Sequence, residues 1–339
     1  MSDKNENSIV LSLLISTYNR SELVYQNLKK MIASSRDDIE FIVCDNCSED
    51  DTFEVLKSII DKRVKVFRND TNLGVSNTLL LQKYACGKYT VNVNDRDYIK
   101  PQNIDYLCDF LNNNPVSDFL FTNGPRFTGQ GKCSYRKICD CYFFSEHPGY
   151  FILNHDFYLK HIKIEMVEDM IRRGDIKGLN PYVMFSLLLN ANDCIYKKPT
   201  VIEQPEYLGD LKTTRKETFG SLYILPEFHK NWFLSSSSFQ VDKNLKKRKN
   251  KILISQFRMS LLKVTAEYRK SLGRAGFRER YNCSNLSIGD YRKNSIDLIK
   301  YVLSDGYVKA NHLGARIILT FIFSSCYDIM RLMKEKVYG

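Results

Sequence analysis

Residues 91–101 read "VNVNDRDYIKP". Apolar and polar residues alternate through Val93, as in a strand with one buried face. Two carboxylates follow, Asp95 and Asp97, separated only by Arg96, and Pro101 comes four residues after the second. Two readings stand: a polar turn that closes the strand, or a carboxylate pair that holds a metal ion.

The chain upstream of this stretch alternates regularly. Residues 8–16, "SIVLSLLIS", read as a strand, and "RSELVYQNLKKMIAS" follows with Leu23, Val24, Leu28, Met31 and Ile32 at helical spacing, with Ser21 placed to cap it. "IEFIVCDN" over 39–46 predicts a second strand. "SEDDTFEVLKSII" predicts a helix that starts at Ser48 with an acidic first turn. "RVKVFRND" reads as a third strand, "LGVSNTLLLQKYACG" as a helix closed by Gly87, and "KYTVNVND" as a fourth strand. Strands that alternate with helices predict a parallel sheet covered on its faces by helices. Ligands bind beyond the carboxyl ends of such strands. Polar residues gather at those ends: Thr17 to Arg20, Asp45 and Asn46, Asn69 to Asn72, and Asp95 to Asp97.

Beyond residue 101 the pattern loosens. A helix over 102–114, a strand over 118–124, loops and short strands over 124–150, and an aliphatic helix that opens with Asn180 and Pro181 are expected. "DKNLKKRKNK" over 242–251 is strongly basic, and 252–339 reads as helices. The serine run 235–238 supports a boundary near 235–250. The expected organisation is therefore a domain over 1–235, with halves of about 8–101 and 102–235, and a basic, mainly helical region over 236–339.

The 339 residues carry a net charge of +11, which favours polyanionic partners such as nucleotide phosphates, nucleic acid or an anionic membrane face. No run of about 20 apolar residues is present, so no spanning helix is expected. The N-terminus lacks the basic flank and cleavage site of a signal peptide, and a cytosolic location follows as an expectation. The ten cysteines, Cys44, Cys47, Cys133, Cys139 and Cys141 among them, show no complete zinc spacing and read as thiols. "IILTFIFSSCY" over 317–327, with Arg316 before it and Arg331, Lys334 and Lys336 after it, suits a membrane interface and a helical cap that packs on the preceding domain or forms a dimer equally.

Four ordered segments, "LSLLISTYNR", "FIVCDNCSEDDT", "NLGVS" and "NDRDYIKP", resemble the GT-A fold glycosyltransferases of family 2 over residues 8–101. The resemblance implies a GT-A, Rossmann-like α/β fold with a mostly parallel sheet and a C-terminal helical extension. It implies transfer of a sugar from a nucleotide-diphosphate sugar to a glycan or lipid-linked acceptor in surface polysaccharide synthesis, inverting and dependent on Mn²⁺ or Mg²⁺. Thr17, Tyr18, Asn19, Arg20, Asp45, Asn46, Asn72, Gly74, Asp95 and Arg96 would hold the nucleotide. Asp97, with Asp95, would bind the metal. The family's acidic pair before the aliphatic helix is replaced here by Asn180 and Pro181, which leaves Asp175 and then Asp169 as candidate bases. His229 is a candidate late metal ligand. A peripheral position on the inner face of the cell membrane, or a homodimer, would suit the tail. The rival readings are a nucleotide-binding module without activity, a nucleotidyltransferase, and a nucleic-acid binder. The third is disfavoured because the basic run lacks interleaved aromatics.

Overall fold

The computed structural model describes residues 9–122, 130–144, 151–197, 202–203, 226–273 and 288–324. Those residues fall into two compact units, Met1–Leu208 and Gly209–Gly339.

The first unit is built on an eight-stranded sheet in the order β3-β2-β1-β4-β8-β6-β9-β7. Its strands are β1 (Leu11–Thr17), β2 (Ile39–Asp45), β3 (Val64–Arg68), β4 (Tyr89–Asn94), β6 (Phe119–Phe121), β7 (Gln130–Lys132), β8 (Phe151–Asn154) and β9 (Cys194–Lys197). The first four strands are parallel, as the alternation predicts. Beyond them β8 runs antiparallel to β4 and β6, β9 runs parallel to β6, and β7 runs antiparallel to β9. A two-stranded ribbon pairs β5 (Tyr98–Ile99) with β10 (Ile202–Glu203).

Both sheet faces are buried, and the period of two divides the strand residues between them. Leu11, Leu13 and Ile15 pack with Val24, Leu28 and Met31 of α1 (Ser21–Ile32) and with Ile104, Leu107 and Leu111 of α4 (Pro101–Asn113). Leu14, Ile42 and Cys44 pack with Leu81 on the other face. The cysteines among the described residues are free thiols.

Several boundaries differ from expectation. Arg20 is the N-cap of α1 and Ser21 lies inside it. The second helix, α2 (Thr52–Lys57), starts at Asp51 because Ser48 is held in the preceding loop by Asp45. Residues 73–87 form no continuous helix. A turn of 3₁₀ helix (Gly74–Ser76), the short α3 (Asn77–Leu80) and a second 3₁₀ turn (Leu81–Tyr84) follow one another. Gly87 closes no helix. It lies so near β1 that a Cβ there would fall 2.8 Å from the Ser12 backbone nitrogen. The remaining helices of this unit are α5 (Tyr135–Phe144), α6 (His155–His161), α7 (Ile164–Arg172) and α8 (Ile176–Leu188). The aliphatic helix α8 therefore begins before Asn180, and Pro181 lies within its first two turns.

The second unit contains α9 (Pro226–Ser238), α10 (Lys246–Gly273), α11 (Ile288–Ser304), α12 (Gly306–Ala310) and a final helix, α13, over 314–324. The boundary expected at 235 falls inside α9, which packs on α10 and α11. The serine run is the last turn of that helix. Ser235 and Ser236 bond back to the carbonyls of Asn231 and Trp232, and Ser237 donates to Asp305 at 2.7 Å. Within the basic run, Lys249 is buried. Its Nζ donates to the carbonyls of Ser237 and Phe239 at 2.6 Å each and sits 3.6 Å from the Tyr307 ring centre. Burial lowers its pKa to about 8.

One buried carboxylate fixes the edge opposite the strand carboxyl ends. Glu40 accepts from Ser12 Oγ and the Cys86 N–H at 2.6 Å each and pairs with Lys65 at 2.8 Å. Burial alone would raise its pKa, but Lys65 and these donors outweigh burial and hold it below the usual range. A lowered folded value contributes stability above the unfolded pKa that is lost as pH falls through the folded one. Glu40→Ala is expected to cost about 1–3 kcal/mol, because it leaves the buried Ser12 hydroxyl and Cys86 N–H without an acceptor, while the half-exposed Lys65 is solvated by water. Urea unfolding at pH 7 checks this, and the difference from wild type should shrink below the ordinary glutamate pKa.

Candidate active site

The carboxyl ends of β1 to β4 meet along one edge. Asp95, 5% exposed, follows β4. Arg20, in the loop after β1, places Nη1 at 2.5 Å and 2.7 Å from its two carboxylate oxygens. Thr17 Oγ1, at the end of β1, donates to the same carboxylate at 3.2 Å. Asn27 of α1 donates to the Asp95 carbonyl at 3.0 Å. Burial pushes the Asp95 carboxyl above its usual range, against the pull of Arg20 and Thr17. Asp97 N–H closes a turn on the Asn94 carbonyl at 2.9 Å, and Asp97 is 1% exposed. The alternation continues through the turn: Asp95 and Asp97 are buried, while Arg96 between them is half-buried.

A second set of contacts organises the loops. Asn19 adopts φ +49°, and its N–H donates to Ser48 Oγ at 2.9 Å while its Oδ1 accepts from the Glu49 N–H at 2.8 Å. Asp45, fully buried, accepts from the Ser48 N–H and pairs with Arg68 at 3.3 Å. Asn46 spends its amide on the chain itself. Its Nδ2 donates to Asn72 Oδ1 at 2.8 Å and to the Gly74 carbonyl at 3.3 Å, and its Oδ1 accepts from Asn69 Nδ2 and the Leu73 N–H. Asn69 also donates to Asn77, and Asn77 donates to Ser16 Oγ at 2.7 Å. This chain of amides ties the ends of β1, β2 and β3 to the 72–74 turn. Gly74 takes φ +56°, a left-handed conformation that glycine adopts without the steric cost of a Cβ. Tyr18 stands half-buried in the loop between Thr17 and Asn19.

The structure thus brings Thr17, Asn19, Arg20, Asp45, Asn46, Asn72, Gly74, Asp95 and Asp97 to one sheet edge. Sequence reasoning placed Asn69 at the strand end without giving it a role, and missed Asn27 and Asn77. Asn27 carried a signal, since a polar residue sits inside the apolar stripe of α1. The two candidate bases lie on other elements. Asp175 is the N-cap of α8 and accepts from the Gly178 N–H at 2.9 Å. Asp169, in α7, pairs with Arg173 and, at 3.9 Å, with Arg172. His229 is buried in α9 of the second unit.

The donor set bears on a divalent cation. Among the described residues no three metal-ligating side chains cluster. A small hard cation needs fewer, because it is held by one or two carboxylates together with substrate phosphates and water. Asp97 and Asp95 fit that restricted form, and an Asp95 oxygen bonded to Arg20 keeps a further lone pair.

Comparison with known proteins gives the following. The family described as Glycosyl transferase family 2 matches residues 12–173. An uncharacterized glycosyltransferase of Haemophilus influenzae is 30% identical over 113 residues, which is 32% of this chain and 35% of that protein. The Escherichia coli protein described as UDP-Glc:alpha-D-GlcNAc-diphosphoundecaprenol beta-1,3-glucosyltransferase WfaP is 26% identical over 115 residues, 34% of this chain and 45% of that protein. Both matches span less than half of the relative's length. Among solved structures, S. aureus TarS 1-349 superposes with a TM-score of 0.53 at 16% identity, covering 92% of this chain and 89% of that one. The same protein in complex with UDP-GlcNAc gives 0.52. At that identity the likeness establishes the fold, a GT-A sheet with helices after it.

Two substitutions test this geometry. Asp95→Asn removes the anion that Arg20 and Thr17 face and should lower the calorimetric midpoint at pH 7. Asn46→Ala should lose about 1–3 kcal/mol, because it leaves buried donors and acceptors around Asn69 and Leu73 unmet. Faster hydrogen exchange at the Leu73 amide would locate the damage.

Proposed function

We propose that the chain moves a sugar from a nucleoside-diphosphate sugar to a glycan or lipid-linked acceptor, with inversion, a reading supported by the match of residues 12–173 to glycosyl transferase family 2. The observation that carries the reading is the Arg20–Asp95–Thr17 cluster at the carboxyl edge of the parallel strands, beside Asp97.

The roles follow from the chemistry. Tyr18 and Asn19 line the nucleoside side, with Asn72 and Gly74 in the turn against it, while the buried Thr17 and Asp45 act by holding the loops that carry them. Asn46 acts by holding that turn, since its own amide is committed. Arg20, 26% exposed, is oriented by Asp95 and offers its remaining donors to the diphosphate, and Arg96 is a second cation at the same turn. Mn²⁺ or Mg²⁺, held by Asp97 with Asp95, would neutralise charge on the departing diphosphate. A base takes the proton from the acceptor hydroxyl as its oxygen bonds to the anomeric carbon. The bond from that carbon to the diphosphate breaks, and its electrons leave with the diphosphate. Asp175 is our first candidate for the base and Asp169 the second. Asp175 stands at the start of the aliphatic helix, whereas Asp169 is neutralised by two arginines.

The name of WfaP supports an acceptor that carries a sugar on a lipid diphosphate, and with it a part in surface polysaccharide synthesis at the inner face of the membrane. No helix among the described residues is long and apolar enough to cross a membrane.

The test is thermal shift with a panel of nucleoside diphosphates, with Mn²⁺ or with chelator, followed by transfer from labelled nucleotide sugars. One base should raise the midpoint, and the rise should need both the cation and Asp97, disappearing in Asp97→Ala. No shift with any nucleotide removes the reading, and a shift without transfer leaves a binding module. Asp175→Asn keeps a good helix cap. It should therefore hold the midpoint and nucleotide affinity while lowering kcat by about 10²–10⁴. Asp169→Asn should leave kcat within a few-fold.

A further inference from the structure

Charge is divided unevenly along the chain. Met1–Leu208 carries 25 basic and 28 acidic residues, a net of −3, and Gly209–Gly339 carries 25 basic and 11 acidic, a net of +14. All of the protein's excess positive charge therefore belongs to the helical unit. Lys243, Lys246, Lys247, Lys251, Lys293, Lys300 and Lys309 are exposed there. Lys249 is withdrawn from this set by its carbonyl partners.

Helix α13 of the same unit has two apolar faces. One is buried, with Ile317 at 0% exposure and Ser324 beside it. The other presents Ile318, Leu319, Ile322 and Phe323 to solvent, at 42%, 52%, 47% and 71%. At about 100° per residue these four side chains share an arc of about 140°, and exposed Arg316 borders it. A helix that packs one apolar face and leaves a second one in water has a second apolar environment to meet.

We infer that this face of α13 docks on an anionic lipid surface. The apolar side chains enter the acyl boundary while the unit's basic residues meet the headgroups, a combination that suits an interfacial helix and not a spanning one. A second copy of the chain is the poorer occupant, because a self-complementary contact through this unit would bring +14 against +14. A nucleic acid would engage the cations but leave the four apolar side chains in water. The inference is independent of sugar transfer, since it concerns binding alone.

Co-sedimentation of the full chain with vesicles tests it. Phosphatidylcholine vesicles containing phosphatidylglycerol should bind the chain roughly tenfold or more better than phosphatidylcholine alone, with the advantage falling as salt rises. Ile322→Ser with Phe323→Ser, both at exposed positions, should keep the melting midpoint and lose most of that binding. Three results would overturn the proposal. The first is unchanged binding by the double variant. The second is absence of vesicle binding together with a concentration-dependent dimer that the double variant abolishes. The third is a clear preference for oligonucleotide over anionic vesicles at equal salt.

Discussion

The Arg20–Asp95 contact joins the two ends of the parallel core. Arg20 belongs to the loop after the first strand, and Asp95 follows the fourth, so one ion pair spans 75 residues of chain. Desolvating a carboxylate is costly, and the site offsets part of that cost with a guanidinium and a threonine hydroxyl. The Asn27 amide fixes the backbone of the same residue, so α1 reads the position of the turn directly. Everything near the turn inherits this. Asp97 is placed by the hydrogen bond that closes it, and Arg96 is left on the opposite side by the period of the strand.

The site divides its polar residues into two kinds. Asp45, Asn46, Asn69 and Asn77 face inward and bind one another, their loops or Arg68. Arg20, Tyr18 and Asn72 keep exposed surface. The inward set is a scaffold of amides in which each member has a partner, the condition under which a buried polar network rigidifies a loop. Such a scaffold suits a site that must present backbone and side chains to a charged ligand without reorganising.

Much of the fold over residues 8–101 was legible because hydrophobic period and turn residues agreed there. The four parallel strands and α1 stand where alternation placed them. What failed was local. Residues 73–87 looked helical because Leu79, Leu80 and Leu81 are good helix formers, yet the chain turns tightly to bring Gly87 against Ser12. The serine run looked like a linker because composition alone is blind to hydroxyls that bond back onto the preceding turn. Asn46 was assigned to a ligand because an amide can read one, and only the structure shows the four partners that already occupy it. The order of the outer strands, with β8 inserted antiparallel beside β4, left no mark in the sequence, because pairing between distant short strands has no local signature.

That insertion has a further meaning. Reversal at β8 brings the start of β8, the ends of β6 and β9 and the start of β7 to the same edge as Asp95. The end of β6 and the start of β7, joined in sequence, therefore both lie on that rim, whereas the link from β8 to β9 joins strand ends at the opposite edge, and the parallel strands stay continuous. Closing a longer connection costs free energy only with the logarithm of its length. Inheritance can thus lengthen, shorten or exchange the segments that join these outer strands and leave the inner four untouched. The sheet works as a socket with a fixed half and a replaceable half, and descendants of such a chain can change what they accept without relearning how to fold.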